Sequence, residues 1–167
     1  MEPTHAHLLT NHIPILGSIF GCLVLAIGMI LKNKSVEVTG VATILLAAMF
    51  TVPAFLSGEE AEHIVEHLQG ISEFQLEEHE EHAELSLWLM IAAGILSLMS
   101  IVSYRWAPHL TKVARSSTLI VSALAFVSMI PLANHGGKIV HSELRAGDEP
   151  SQSEHEHHEE SEEDSHE

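Results

Sequence analysis

The sequence predicts an all-α membrane protein: a four-helix transmembrane bundle, N-out and C-out, with a short outer amphipathic helix and a disordered acidic tail. Three observations carry this reading. Four runs contain no charged residue, Leu8–Leu31, Val38–Ser57, Leu85–Tyr104 and Ser116–Asn134, each of 19–24 residues. About 20 helical residues cross a 30 Å hydrocarbon core, and in lipid a helix satisfies its own backbone hydrogen bonds. Five of the seven Lys and Arg residues fall in two short connections, Lys32 and Lys34 in one and Arg105, Lys112 and Arg115 in the other. Positive connections stay in the cytoplasm, so both termini and the connection between the second and third runs face outward. That expectation places the chain in a bacterial inner membrane with periplasmic termini. A soluble bundle would need a polar stripe on every helix, and these runs have none.

The first run follows "MEPTHAHLLTNH", which lacks the basic n-region of a cleaved signal peptide, so the first helix is expected to stay. Pro14 near its start can kink it or reset its phase. Gly17, Gly21 and Gly28 would pack on a neighbour, whereas His12 falls on nearly the opposite side of an ideal helix. The second run ends in "SGEE", where Ser57 and Glu60 have the spacing of a capping box. A short outer helix is expected from there to Gly70, a plausible C′ glycine, with Ala61, Ile64, Val65 and Leu68 as its apolar stripe. Ser72 and Gln75 repeat the start signal, and nothing then breaks the third helix before Trp106. His79, His82, Ser86, Ala93, Ser97, Ser100 and Tyr104 share one face of it. Small and hydroxyl residues mark helix contacts in membranes, so that face turns inward. Ser128, Pro131 and His135 align in the same way on the fourth helix, with Gly136 and Gly137 after them. Residues 7–141 thus form the transmembrane domain, outer loop 57–84 included. Residues 142–167 form the tail, where ten acids and four histidines follow from Asp148 without an apolar residue. Such a segment cannot build a core.

The histidines sort by side. Of 14, only His109 falls on the inner side. Imidazoles facing one another from different helices suit haem iron or a transition metal. Two across a flat apolar gap would hold a b-type haem. Three or four ligands mixing histidine with Glu59, Glu60, Glu78 or Glu81 would suit zinc, copper or iron. His12, His82 and His135, each at or beside a helix end, are the candidate cofactor ligands, with His79 as an alternate. Glu60, His63 and His67 are the candidates for a separate metal site, since His63 and His67 share a helix face. Glu60 and His63 also have half of a di-iron spacing, but Leu76 and His79 stand where the other half would need an acid. The plainer possibility is that these imidazoles are solvated surface groups ligating nothing. The single cysteine, Cys22, lies mid-membrane, which excludes a disulfide framework and a cysteine–histidine nucleophile. No phosphate-binding loop or basic patch is present, so nucleic acid is not an expected partner.

At "HLLTNHIPILGSIFG", "FLSGEE", "HEEHAE" and "NHGGKIVH" the chain resembles an uncharacterised family of small bacterial four-helix membrane proteins, over roughly residues 7–141. That family opens its first helix with His-x-Pro, places a glycine and an acid after the second and a histidine at the third, and closes the fourth with Gly-Gly-x-apolar-Val. More distantly it is similar to four-helix b-type cytochromes. That resemblance implies His12, His82 and His135, with His79 as alternate, as haem ligands. Those cytochromes usually carry histidines within their helices, often at both depths; here no helix carries one near the inner face, so one outer haem is the most it implies. Three functions follow as expectations. One is a haem- or metal-binding module in electron transfer, serving a membrane redox complex or periplasmic electron carrier. The others are a protein handling zinc or copper, and a cofactor-free accessory subunit.

Overall fold

The computed structural model describes residues 7, 10–65 and 73–140, and every regular element among them is α-helical. The helices are α1 (His12–Leu31), α2 (Lys34–Val65), α3 (Glu73–Trp106) and α4 (Thr111–Val140). All four are long and apolar enough to cross a membrane, as the sequence predicts. They form an antiparallel bundle in which α1–α2 and α3–α4 are the two most extensive interfaces, α2–α3 and α1–α4 complete the ring, and α2 barely meets α4 across it. Large apolar side chains point outward, among them Phe20, Trp88 and Ile130, each more than half exposed. In water such a belt would be an aggregation surface; against lipid tails it is in its own solvent. This is the build of a multi-pass membrane protein.

Small residues set the distance between helices. A Cβ on Gly21 would lie 2.5 Å from the Ile44 side chain, and one on Gly40 would lie 2.4 Å from the Leu25 backbone nitrogen. The α1 and α2 backbones therefore touch, which explains the glycines predicted to pack on a neighbour. On α3 the predicted inward face is the buried one: Ser86, Ala93, Ser97 and Ser100 are all 2 % exposed or less. Hydroxyls and one thiol join the helices at several depths, Ser86 with Ser128 at 2.9 Å, the Cys22 thiol with Ser122 at 3.0 Å and Ser100 with Thr118 at 3.1 Å. The α1–α2 connection is two residues long. Lys32 turns left-handed at φ 52°, Asn33 donates its amide to Gly28, and its side-chain oxygen caps Ser35 and Val36.

The capping-box reading at Ser57 is corrected by the structure. Helix α2 runs through Ser57 to Val65 without a break, and the Ser57 hydroxyl donates backward to the Ala54 carbonyl at 3.0 Å. A cap needs free amides ahead of it, but here the preceding turn already pairs them. The expected outer helix is thus the last turns of α2, with Ala61 buried and Ile64 exposed. Gly70, Ser72, Leu68 and the tail 142–167 lie outside the described residues. At 1.5 Å per residue, the 32 residues of α2 and the 34 of α3 run about 50 Å, well beyond a 30 Å core. The surplus of each stands at one end of the bundle, beyond the uncharged runs, and that end carries the histidines.

Candidate metal centre

His82 and His135 meet there. Their rings stack with centroids 5.4 Å apart and 27° between planes. With the Glu78 carboxylate they form the group in which one ligand atom from each residue lies within 4.8 Å of the others, all three half-buried. Glu78 and His82 are one helical turn apart on α3, so they share a face; His135 arrives from α4 just beyond Pro131.

The hydrogen bonds of the two imidazoles decide which nitrogen is free. His82 Nδ1 donates to the Glu78 backbone carbonyl at 2.7 Å, and His135 Nδ1 donates to Gln75 Oε1 at 2.8 Å. A carbonyl only accepts, so each ring carries its proton on Nδ1 and keeps a lone pair on Nε2. This is the support that metal-bound histidines receive from outer groups: one nitrogen tied to an oxygen, the other presented to the ion. Gln75 is fully buried. In the sequence Gln75 carries only a helix-start signal. Its position 60 residues before His135 gives no local signal of the pairing.

Two further histidines stand beside this group. His79 Nδ1 donates to the Leu132 carbonyl and His7 Nδ1 to the Ala54 carbonyl, both at 3.0 Å. His79 stands six residues outside the uncharged run of α3. Burial pushes its pKa down, opposed by the Leu132 bond, and the neighbouring His7, His135 and His82 push it lower still. Both effects favour the neutral ring.

The remaining sequence candidates are elsewhere. His12, expected as a ligand, is exposed on α1 and is not in the group that His82 and His135 form. His7, five residues earlier, is the histidine of this segment that neighbours His79. Glu60 and His63 are exposed on the last turns of α2 and form no group of three with another ligand among the described residues. His67 lies outside the described residues.

At the opposite end the structure shows a cluster that the sequence reading passed over. Glu37 is 2 % exposed. It accepts a hydrogen bond from Tyr104 Oη at 2.7 Å and pairs with the Arg115 guanidinium. Lys34 Nζ lies 5.2 Å from the centre of the Tyr104 ring. One signal could have found it, for Glu37 is the single acid between Glu2 and Glu59, set among the Lys and Arg residues of the two short connections. No family model, curated protein or solved structure matches the chain, and the two clusters are read from their own geometry.

Proposed function

We propose that the histidine end of the bundle binds one transition-metal ion through His82 Nε2, His135 Nε2 and Glu78, in a membrane protein that handles zinc or copper on the outer, periplasmic side of a bacterial inner membrane. The observation that carries this is the pair of oxygen-tied imidazoles, both with Nε2 free, beside a carboxylate. Tetrahedral zinc with ligand bonds near 2.1 Å needs donor atoms about 3.4 Å apart. The flexible Glu78 stem can close the difference from the 4.8 Å limit. Two nitrogens and one oxygen suit zinc or copper over calcium or magnesium. Three protein ligands leave a fourth position for water or for a second molecule delivering or removing the ion. The acidic histidine tail and the exposed Glu60 and His63 would then supply weak collecting sites around a tighter one.

The same two imidazoles are what a haem b would use, in electron transfer with a membrane redox complex or a periplasmic carrier. Face-to-face rings leave no slot for a macrocycle between them, so a single ion is the better fit. The test is titration of the purified protein with Zn²⁺ and Cu²⁺, with a visible spectrum for haem. Loss of an outer partner alone costs 10–100-fold in metal affinity. Replacing the ligand in His82→Ala should therefore cost at least about 100-fold, and His63→Ala less than about 3-fold. A Soret band, or equal small effects of both variants, would reject the proposal.

A further inference from the structure

The two helical hairpins repeat each other. Adding 72 to the buried positions of α1, Pro14, Ser18, Gly21, Leu25 and Gly28, gives Ser86, Met90, Ala93, Ser97 and Ser100 of α3, all buried. Adding 78 to the buried Gly40, Ile44, Ala47 and Thr51 of α2 gives the buried Thr118, Ser122, Ala125 and Met129 of α4, while the buried Glu37, Val41, Ala48 and Ala54 map to the half-buried Arg115, Leu119, Phe126 and Leu132. Periodicity alone would align one buried stripe with another. It would not align the chemistry at the histidine end.

There His7 donates to the carbonyl of Ala54, the residue after Pro53, and His79 to that of Leu132, the residue after Pro131. Four residues past each acceptor stands a glycine closed over by the same ring. A Cβ on Gly58 would lie 3.1 Å from His7 Cε1, and one on Gly136 would lie 3.0 Å from His79 Cε1. His7 and His79 differ by 72, and each acceptor, proline and glycine pair differs by 78. One turn further along, Thr10 Oγ1 meets Ser57 Oγ at 3.4 Å in the first hairpin. Their counterparts in the second are His82 and His135. Glu37 and Arg115 are also counterparts, and they pair with each other, as residues near a two-fold axis must. A two-helix unit starts and finishes at the same end of the bundle, so its copy runs the same way up.

We infer that the chain is a duplicated two-helix unit in which His7 and His79 are equivalent latches, each fixing its hairpin by bonding a post-proline carbonyl and seating on a glycine. The metal-ligand pair occupies the level above the latch in the second copy only. His79 is then a positioning residue: it sets where α4 carries His135 relative to His82, and it ligates nothing. The repeat itself stands whether or not the proposed ion binds, whereas the positioning role rests on the metal reading.

Asparagine separates the roles. Its Nδ2 occupies the place of histidine Nδ1 and can donate to the same carbonyl, but it has no Nε2. Full-length His7→Ala, His7→Asn, His79→Ala and His79→Asn would be compared with wild type by thermal unfolding in detergent and by Zn²⁺ titration. Both alanine variants should lower Tm by about 2–4 °C, the loss of one buried hydrogen bond in a chain of this size. Both asparagine variants should recover most of it. His79→Ala should weaken zinc about 10-fold through displaced ligands, with His79→Asn within about 3-fold of wild type. If His79→Asn loses zinc as fully as His79→Ala, His79 is a ligand and the positioning role is wrong. If His7→Ala leaves Tm unchanged while His79→Ala lowers it, the hairpins are not equivalent. If wild type binds no zinc, the metal reading fails and the thermal comparison alone decides the repeat.

Discussion

Removing the Glu37 carboxylate should destabilise this protein more than any single change at the histidine end. Glu37 is 3 % exposed at its side chain and Arg115 24 %, so the pair is shielded mainly on the acid's side. In Glu37→Gln the amide can still accept from Tyr104, but the guanidinium loses its counter-charge. Breaking a buried pair from one side costs about 3–5 kcal/mol because a charge is left uncompensated. Arg115 retains some access to the surface, which places the loss near the lower end, about 3 kcal/mol. For a chain of 150–250 residues, 1 kcal/mol corresponds to roughly 2–4 °C, so Tm should fall by roughly 6–12 °C. Arg115→Met alone should cost a comparable amount by leaving the carboxylate unpaired. Glu37→Gln with Arg115→Met should recover part of the loss, since apolar or neutral replacements of both partners are often tolerated. The assay is thermal unfolding of the four proteins in one detergent, arranged as a double-mutant cycle. A Glu37→Gln protein within 1 °C of wild type would refute the reasoning, as would a double variant whose loss equals the sum of the singles.

Three further expectations concern topology, packing and the tail. A periplasm-only reporter fused after Glu167 should be active and one at Asn33 silent; the reverse would overturn the sidedness drawn from the Lys and Arg positions. Gly40→Leu should prevent α1 and α2 from closing, because a Cβ there already falls 2.4 Å from the Leu25 backbone nitrogen. The variant should be degraded or elute as aggregate, and a normal elution profile would show that the hairpin tolerates separation. Deleting residues 149–167 should leave insertion and Tm unchanged while lowering the number of weakly bound Zn²⁺ ions, and a truncated protein that fails to insert would contradict the reading of the tail as an appendage.

Hydropathy and helical period determined four spans by themselves. So did the inward face of α3 through Ser86, Ala93, Ser97 and Ser100, and the glycines by which α1 packs, because all of these are properties of one helix at a time. A residue's side of its own helix follows from 3.6 residues per turn. Which residues meet across helices does not, since it depends on the rotation and axial shift of each helix against the others. The pairing of His82 with His135 at 5.4 Å, with His12 left on the exposed side of α1, was decided only there. Local signals also yielded where the tertiary context supplied partners: Ser57 reads as a cap, but inside a continuous α2 its hydroxyl finds the Ala54 carbonyl instead. Glu37 is the clearest case. As sequence it is an acid at a helix start beside cations, an ordinary surface arrangement. It became a buried charge because α3 and α4 bring Tyr104 and Arg115 to it from 67 and 78 residues away, and a carboxylate leaves water only where such partners replace its hydration.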